Sequence, residues 1–533
     1  MTTTVETVGF HLINGTWNAS GEGEFHGVNP ADGQALSPAA DTATPSMIDD
    51  AFAAAVEAHL QTRSWPTSRW AELLEAIAEE IEALGDELLQ VAASESGLPA
   101  ETRLAGERGR TTGQLRMFAA HAREGAWVDA VIDRADPDRK PLPKADIRRM
   151  LRPLGPVVIF DASNFPLAFG PCGGDTASAL AAGNPVIVKN HPSHPLTGRL
   201  TAEAVIRAAE KAKFPKAVFQ MVQGVGSEVG AALVQHPAAE AVGFTGSLHG
   251  GRALFDLATK RDRPIPFFGE MGSVNPLVLL PGALQERRDA IIDGLAGSIT
   301  LGAGQFCTKP GVVLLVEDSE TPAFIHALAE KLGESSAFTL LNPSIRDAFD
   351  RKSRELAQTL DVKTQLTGEM AGAAQAKPWL FEIDAAAWMN NPDVRHEVFG
   401  PAAMIVCCRD LAELVTAVRS MEGQLTGSIH VGAGDEATTV EAVAAELESH
   451  VGRLIFNGYP TGVEVCHAMV HGGPYPATTA AGTTSVGTLA IQRFARPVAY
   501  QSLPDALLPE ALQNANPLGI SRNVDGQATD GSI

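Results

Sequence analysis

The chain has little of what marks a secreted, membrane-bound or nucleic-acid-binding protein. Only five of its 533 residues are cysteine: Cys172, Cys307, Cys407, Cys408 and Cys466. So odd and scattered a set makes no disulfide framework, and a reducing compartment is expected. Positive charge is short too, with 41 Lys and Arg against 63 Asp and Glu and a formal net charge of −22. That surface repels phosphate backbones and anionic lipid, so neither nucleic acid nor a membrane is an expected partner. A locally basic cleft for a small substrate remains compatible with it. No apolar run approaches the roughly 18 residues needed to cross a bilayer. The amino terminus, MTTTVETVGFHLING, has no basic segment followed by an apolar one, so it does not read as a signal peptide. A cytoplasmic location is the expectation. Metal-ligand spacing is missing as well. His467 and His471 stand four apart with no cysteine or carboxylate at ligand spacing, so no metal is expected. Two readings stay open for these histidines, structural packing or a place beside a reactive sulfur. Cys407 and Cys408 close the apolar run AAMIVCC. Neighbours on a strand face opposite ways, so both read as core.

What is present is ordinary for a globular protein, 45% hydrophobic and 20% charged residues. At about 150 residues per domain the length suggests several lobes. Residues 1–45 read as short strands and turns, with Asn-Gly and Asp-Gly signals. From about Ser46 the pattern is helical. Leu74, Ile77, Ile81, Leu84 and Leu88 make one buried stripe that closes at Gly97-Leu98-Pro99. A second helix is predicted over about 101–123, followed by the solvated loop DRADPDRKPLPKAD. From Arg149 short apolar runs alternate with helical stretches: PVVIF (156–160), PVIVK (185–189), AVFQMV (217–222) and AVGFTG (241–246). A second series contains NPLVLL (275–280), GVVLLVE (311–317), AAMIVCC (402–408), TGSIHV (426–431) and RLIFNG (453–458). This alternation predicts parallel sheets in two tandem α/β lobes. There is no internal repeat, and the tail NVDGQATDGSI reads as frayed.

The chemistry concentrates in three segments. LGAGQFCTKP places Cys307 after a small-residue loop, FFGEMGSVNP holds Glu270 in apolar surroundings, and HEVFGP holds Glu397 and Phe399. A thiol is the strongest common nucleophile near neutral pH and works best beside a base and an oxyanion site. Apolar surroundings are expected to raise the Glu270 pKa, which suits a general base. Glycines before the cysteine are expected to let a substrate carbonyl approach the backbone. Asn164, in DASNFPLAFGP, follows a predicted strand, and its amide can donate to an oxyanion together with the Cys307 backbone N–H. A turn at Thr245-Gly246-Ser247 leads to Gly251 and a helix start, where free N–H groups and the helix dipole suit a pyrophosphate. The GVGSEVG turn with Gly226 has GxGxxxG spacing and is a weaker signal. Lys189 ends a strand, where doubly wound sheets bind ligands.

Together these segments resemble the aldehyde dehydrogenase superfamily, over nearly the whole chain. SNFP, KNHPSHP, PFFGEMGSVNP and TGVEVCHAMVHGGPYPATT resemble the branch with bacterial α-ketoglutaric semialdehyde dehydrogenases and an NADP-dependent fatty aldehyde dehydrogenase. The resemblance implies an α/β fold of two Rossmann-like lobes plus an extended arm. Residues 1–144 and 156–273 would bind the dinucleotide, 274–480 would be catalytic, 145–155 and 481–510 the oligomerisation arm, and 511–533 a tail. It implies Cys307 as nucleophile, Glu270 as base and Asn164 in the oxyanion site. Lys189, Gly226, Thr245, Gly246, Ser247, Gly251, Glu397 and Phe399 would hold the cofactor, with Lys189 on the adenosine ribose. Pro192 stands where NAD-preferring members commonly carry a glutamate, so NADP is expected ahead of NAD, although Ser227 adds no charge. Arg110 and Arg116, in ERGRTTGQLR, lie where relatives line the substrate tunnel and favour a carboxylate-bearing aldehyde. The alternatives are a fatty or other aliphatic aldehyde, an acylating enzyme, and a non-catalytic dinucleotide-binding protein. Apolar residues alternating on two arms predict a homodimer or a dimer of dimers.

Overall fold

The computed structural model describes residues 8–533. The reading of the amino terminus as lacking a leader falls largely on residues 1–7, outside the described residues. Two seven-stranded sheets organise the chain. In the first, four fully buried strands, Val157–Phe160, Val186–Lys189, Phe219–Val222 and Ala241–Thr245, match the apolar runs of the sequence. Phe267–Glu270 pairs in parallel beside the last of them. His11–Ile13 and Thr16–Asn18 add an antiparallel edge. The second sheet runs Pro276–Leu279, Val312–Val316, Ala402–Cys408, Trp379–Asp384, Gln424–His430 and Val451–Phe456, all parallel, with Lys363–Leu366 antiparallel at one edge.

Each sheet buries apolar side chains on both faces. The alternation along a strand is visible in Cys407 and Cys408, which enter separate clusters on opposite faces. The carboxyl ends of strands Ala241–Thr245 and Phe267–Glu270 bring Thr245 and Glu270 to the chemistry, as open parallel sheets do, whereas Cys307 and Glu397 stand just before the strands Val312–Val316 and Ala402–Cys408 of the second sheet.

Three readings are corrected. The stripe from Leu74 to Leu88 is two helices, Thr67–Ala83 and Gly85–Ser96. Gly85 adopts φ +59°, a left-handed conformation that breaks the first helix at little steric cost. The tail is not frayed: Arg522–Val524 and Gln527–Thr529 pair with each other, and the first joins Val131–Asp133. Those strands extend a five-stranded arm in which Ile147–Pro153 pairs antiparallel with Ala495–Gln501. Two strands beside the chemistry also escaped the pattern, Phe267–Glu270 and Trp379–Asp384. The first is short, follows PIP and contains Gly269; the second carries Glu382 among its apolar residues. No helix among the described residues is long and apolar enough to cross a membrane.

Candidate active site

The nucleophile segment is held from behind. After the helix Pro281–Thr300 come Gly302, Ala303 and Gly304, all with positive φ. The glycines serve packing more than substrate approach. A Cβ on Gly304 would stand 2.3 Å from the Gly400 carbonyl oxygen, so only glycine lets the cysteine loop and the HEVFGP segment touch. Asn275, itself at φ +48°, donates its side-chain amide to the carbonyls of Cys307 (2.8 Å) and Lys309 (2.9 Å). Asn275, at the end of EMGSVN, thus anchors the nucleophile segment.

Glu270 ends its strand 4% exposed. His471 Nε2 lies 2.8 Å from Glu270 Oε1, and Ser485 Oγ donates to Oε2 at 2.7 Å. The same His471 Nε2 lies 3.5 Å from Cys307 Sγ. Cys307, His471 and Glu270 therefore form one cluster, their ligand atoms all within 4.8 Å of one another. The expectation of a raised Glu270 pKa is overturned. Burial pushes it up, but His471, Ser485 and Cys307 together outweigh burial and hold the carboxyl below the usual range. The Cys307 thiol is pushed the other way, well up, by burial and then by the Glu270 charge, with Arg110 opposing. His467 stands away from this cluster, exposed, with Nδ1 3.4 Å from Thr488 Oγ1.

Asn164 donates its amide to the Gln305 carbonyl at 2.9 Å, two residues before the nucleophile. Its turn is fixed from the long helix Ala105–Glu124 and the turn before it. Glu107 accepts from Leu167 N and Ala168 N at 2.8 and 3.0 Å, and Arg103 donates to the Asn164 carbonyl at 3.2 Å. The ERGR segment thereby divides. Arg110 stays beside the site, with the Phe165 and Phe169 rings each 5.5 Å from its guanidinium. Its Nε and Nη2 are buried without a partner. Arg116 is not a tunnel residue: it is exposed and forms a bidentate pair with Glu82 at 2.6 and 2.8 Å. Arg108 likewise turns away, to the Gly85 carbonyl.

A cavity of about 710 Å³ runs from Cys307 and Glu270 between the two sheets to Thr245, Ser247 and Pro192. Phe399 and Glu397 also line it. A Cβ on Gly272 would strike Glu397 Oε2 at 2.6 Å, so that glycine makes room for the acid. Burial pushes the Glu397 carboxyl up, with Lys309 and Lys352 opposing.

The walls fit a dinucleotide. Ser247 caps the helix Leu248–Lys260, accepting from Gly250 N at 3.2 Å, and leaves the other amides of that first turn to the cavity. The buried Thr245 Oγ1 beside it has no partner among the described residues. Gly246 packs on the Phe244 ring, and Gly251 lets the helix close on Met271, where a Cβ would stand 2.8 Å from the side chain. Gly226, at φ +71°, opens the exposed turn before the helix Glu228–Gln235. Lys189 is nearly buried and donates to the Gly224 carbonyl at 2.7 Å, with burial bringing it down to about 8. His191 is held neutral by burial, to which His194 and Lys189 add.

Among known proteins, residues 17–474 match the aldehyde dehydrogenase family. The chain is 47% identical to α-ketoglutaric semialdehyde dehydrogenase 2 of Azospirillum brasilense, covering 98% of this chain and all of that one. It is 42% identical to the α-ketoglutaric semialdehyde dehydrogenase of Acinetobacter baylyi, covering 98% and 99%. The fold is similar to that of an aldehyde dehydrogenase from Bacillus cereus, with a TM-score of 0.76, 22% identity and coverage of 92% and 96%. A nucleophile, an acid and an amide on one dinucleotide-shaped cleft agree with these matches, and the chain belongs to the aldehyde dehydrogenase family, oxidoreductases that act on the aldehyde group with NAD or NADP.

Proposed function

We propose that this enzyme oxidises a carboxylate-bearing aldehyde, α-ketoglutaric semialdehyde to 2-oxoglutarate, and that it accepts NADP as well as NAD. One observation carries the substrate reading. Arg110 is a guanidinium enclosed beside the nucleophile with two nitrogens unpartnered. Its helical neighbour Glu107 is committed to Arg103, Leu167 N and Ala168 N. Burying an unpaired charge is costly, so an anionic substrate group is the natural counter-charge. The two relatives named for α-ketoglutaric semialdehyde support the same choice. The runner-up, an aliphatic aldehyde, is favoured by the apolar cluster of Phe165, Phe169, Phe306 and Val486 on the same wall.

The residues divide the work. The Cys307 thiol is protonated at rest and gives its proton to the His471–Glu270 pair as the sulfur attacks the aldehyde carbon. Asn164 Nδ2 and the Cys307 backbone N–H would hold the oxygen. Glu397 and Phe399 would steady the nicotinamide ribose and ring, and the helix starting at Leu248 would hold the pyrophosphate. The dinucleotide, when bound, supplies the hydride acceptor. Glu270 then takes a proton from the water that clears the acyl group from Cys307. A base so placed hydrolyses a thioester, which argues against coenzyme A as acceptor. The arm that joins residues 147–153 to 495–501 leaves Ile147 40% exposed. A homodimer, or a dimer of dimers, would cover it.

An aldehyde panel assayed with both cofactors tests the reading. Arg110→Met should raise KM for the oxo-acid aldehyde by about ten- to a hundredfold, the worth of a charge-assisted hydrogen bond, and barely change it for a neutral aldehyde of equal length. Equal effects on both aldehydes would remove Arg110 from substrate recognition.

A further inference from the structure

Sequence spacing gave His471 no metal partners, yet the fold brings it two from far along the chain. We propose that Cys307, His471 and Glu270 form a three-ligand zinc site whose fourth position opens on the substrate cavity, so that zinc reversibly shuts the enzyme by capping its nucleophile.

The donor set is the first argument. One thiolate, one imidazole and one carboxylate suit Zn²⁺, and three protein ligands with an open position is a tetrahedral arrangement that zinc adopts readily. Distance is the second. Tetrahedral zinc, with bonds of about 2.0–2.3 Å, holds a sulfur and a nitrogen roughly 3.5 Å apart and a nitrogen and an oxygen roughly 3.4 Å apart. Cys307 Sγ and His471 Nε2 already stand 3.5 Å apart. His471 Nε2 and Glu270 Oε1, at 2.8 Å, need to open by about 0.6 Å to reach that spacing. Support for the ligands is the third. Ser485 Oγ holds Glu270 Oε2, and Thr484 Oγ1 receives the His471 backbone N–H at 2.8 Å. Outer partners of this kind fix ligand orientation.

Binding is an acid–base exchange without redox. Cys307 loses its thiol proton to solvent, a sulfur–zinc bond forms, and His471 coordinates through Nε2 with its proton on Nδ1. That nitrogen has no partner among the described residues and can carry the proton. Zinc draws on the sulfur's electron density and lowers its nucleophilicity, so metal and aldehyde compete for it. Arg110 adds a constraint, because its positive charge acts on Cys307. Anions that neutralise it should therefore favour the metal.

The metal itself is the readout, so this proposal and the substrate reading fail separately. Full-length protein freed of metal is titrated with Co²⁺ and Zn²⁺, and Cys307 is labelled with iodoacetamide and located by mass spectrometry. We expect one Co²⁺ per chain with a thiolate-to-metal absorption band that Zn²⁺ displaces. Zn²⁺ should slow Cys307 labelling at least about tenfold, and a chelator should restore it. Cys307→Ser should lose the band, and His471→Ala and Glu270→Gln should each weaken binding by about tenfold or more. Dinucleotide binding by each variant checks that it has folded. No band in wild type, or a band of unchanged affinity in folded His471→Ala, overturns the site.

Discussion

Two glutamates line the same cavity, and they are held in opposite ways. Glu270 and Glu397 are both enclosed by protein, which by itself pushes a carboxyl up. Glu270 nevertheless ends below the usual range, because His471 and Ser485 reach its oxygens directly at 2.8 and 2.7 Å. Glu397 ends above it, although two lysines are near. Lys309 spends its ammonium on the Val398 and Ala402 carbonyls, and Lys352 on the Glu397 backbone carbonyl. At Glu270 the charge of His471 and the hydrogen bonds from His471, Ser485 and Cys307 outweigh burial, whereas at Glu397 two lysines whose donors are used elsewhere and the Ser273 backbone N–H do not. Glu270 is thereby held as a standing negative charge, whereas the surroundings of Glu397 favour its protonated form more than usual.

The sharpest way to break this comparison is to remove the group that Glu270 serves. Cys307→Ser should lose turnover by several powers of ten while dinucleotide affinity stays nearly constant, since a weak nucleophile replaces an activated one. Glu270→Gln should cost roughly a hundred- to ten-thousandfold, the usual worth of a general base. It should also let an acyl adduct collect on Cys307, visible by mass spectrometry. Normal turnover of Glu270→Gln with no adduct would move the base elsewhere.

A smaller effect isolates the cause of the Glu270 shift. A base must be an anion, and this carboxyl lies below its ordinary range, so deacylation should keep its full rate at neutral pH. The rate should fade only as acid brings the pH down through the lowered value. His471→Ala removes the largest contribution opposing burial, so the acid limb should move to higher pH, with a loss of about tenfold at pH 7. The measurement is the pH profile of thioester hydrolysis. A limb that stays in place would show that Ser485 alone holds the charge.

The site residues were not equally legible. Cys307, Glu270, Glu397 and Phe399 lie in short segments whose residue types announce their chemistry, and the parallel strands between them follow from apolar runs four to seven residues long. His471 could not be assigned, because its partners lie 201 and 164 residues away and only the fold brings them together. The same distance hid the reversal of the Glu270 pKa: composition around FFGEMG shows burial, but not the donors at His471 and Ser485. Arg116 was misplaced for the opposite reason. Four arginines share one helical stretch, and helical spacing does not say which of them pairs with Glu82 and which packs by Phe165 and Phe169. The arm was read from alternating residues, but the tail's two strands are too short and too polar to show that pattern.

The smallest predicted effect concerns cofactor choice, on the part of the cleft farthest from both glutamates. Pro192 lines the cavity, and in the proposed cofactor reading a carboxylate at this position would repel a 2′-phosphate. The positive side of that pocket is weaker than its sequence suggests, since Lys189 is tied to the Gly224 carbonyl and burial keeps His191 uncharged. Selection between NAD and NADP should therefore rest more on the missing acid than on any cation. Pro192→Glu supplies that acid, and like-charge repulsion should weaken NADP relative to NAD by about tenfold, roughly 1.4 kcal/mol, with little change in kcat. Dissociation constants for both cofactors, measured on wild type and variant, give the ratio. If wild type already binds NAD far more tightly, or the substitution weakens both cofactors alike, the pocket discriminates by shape, and the absent charge at Ser227 matters more than the absent glutamate.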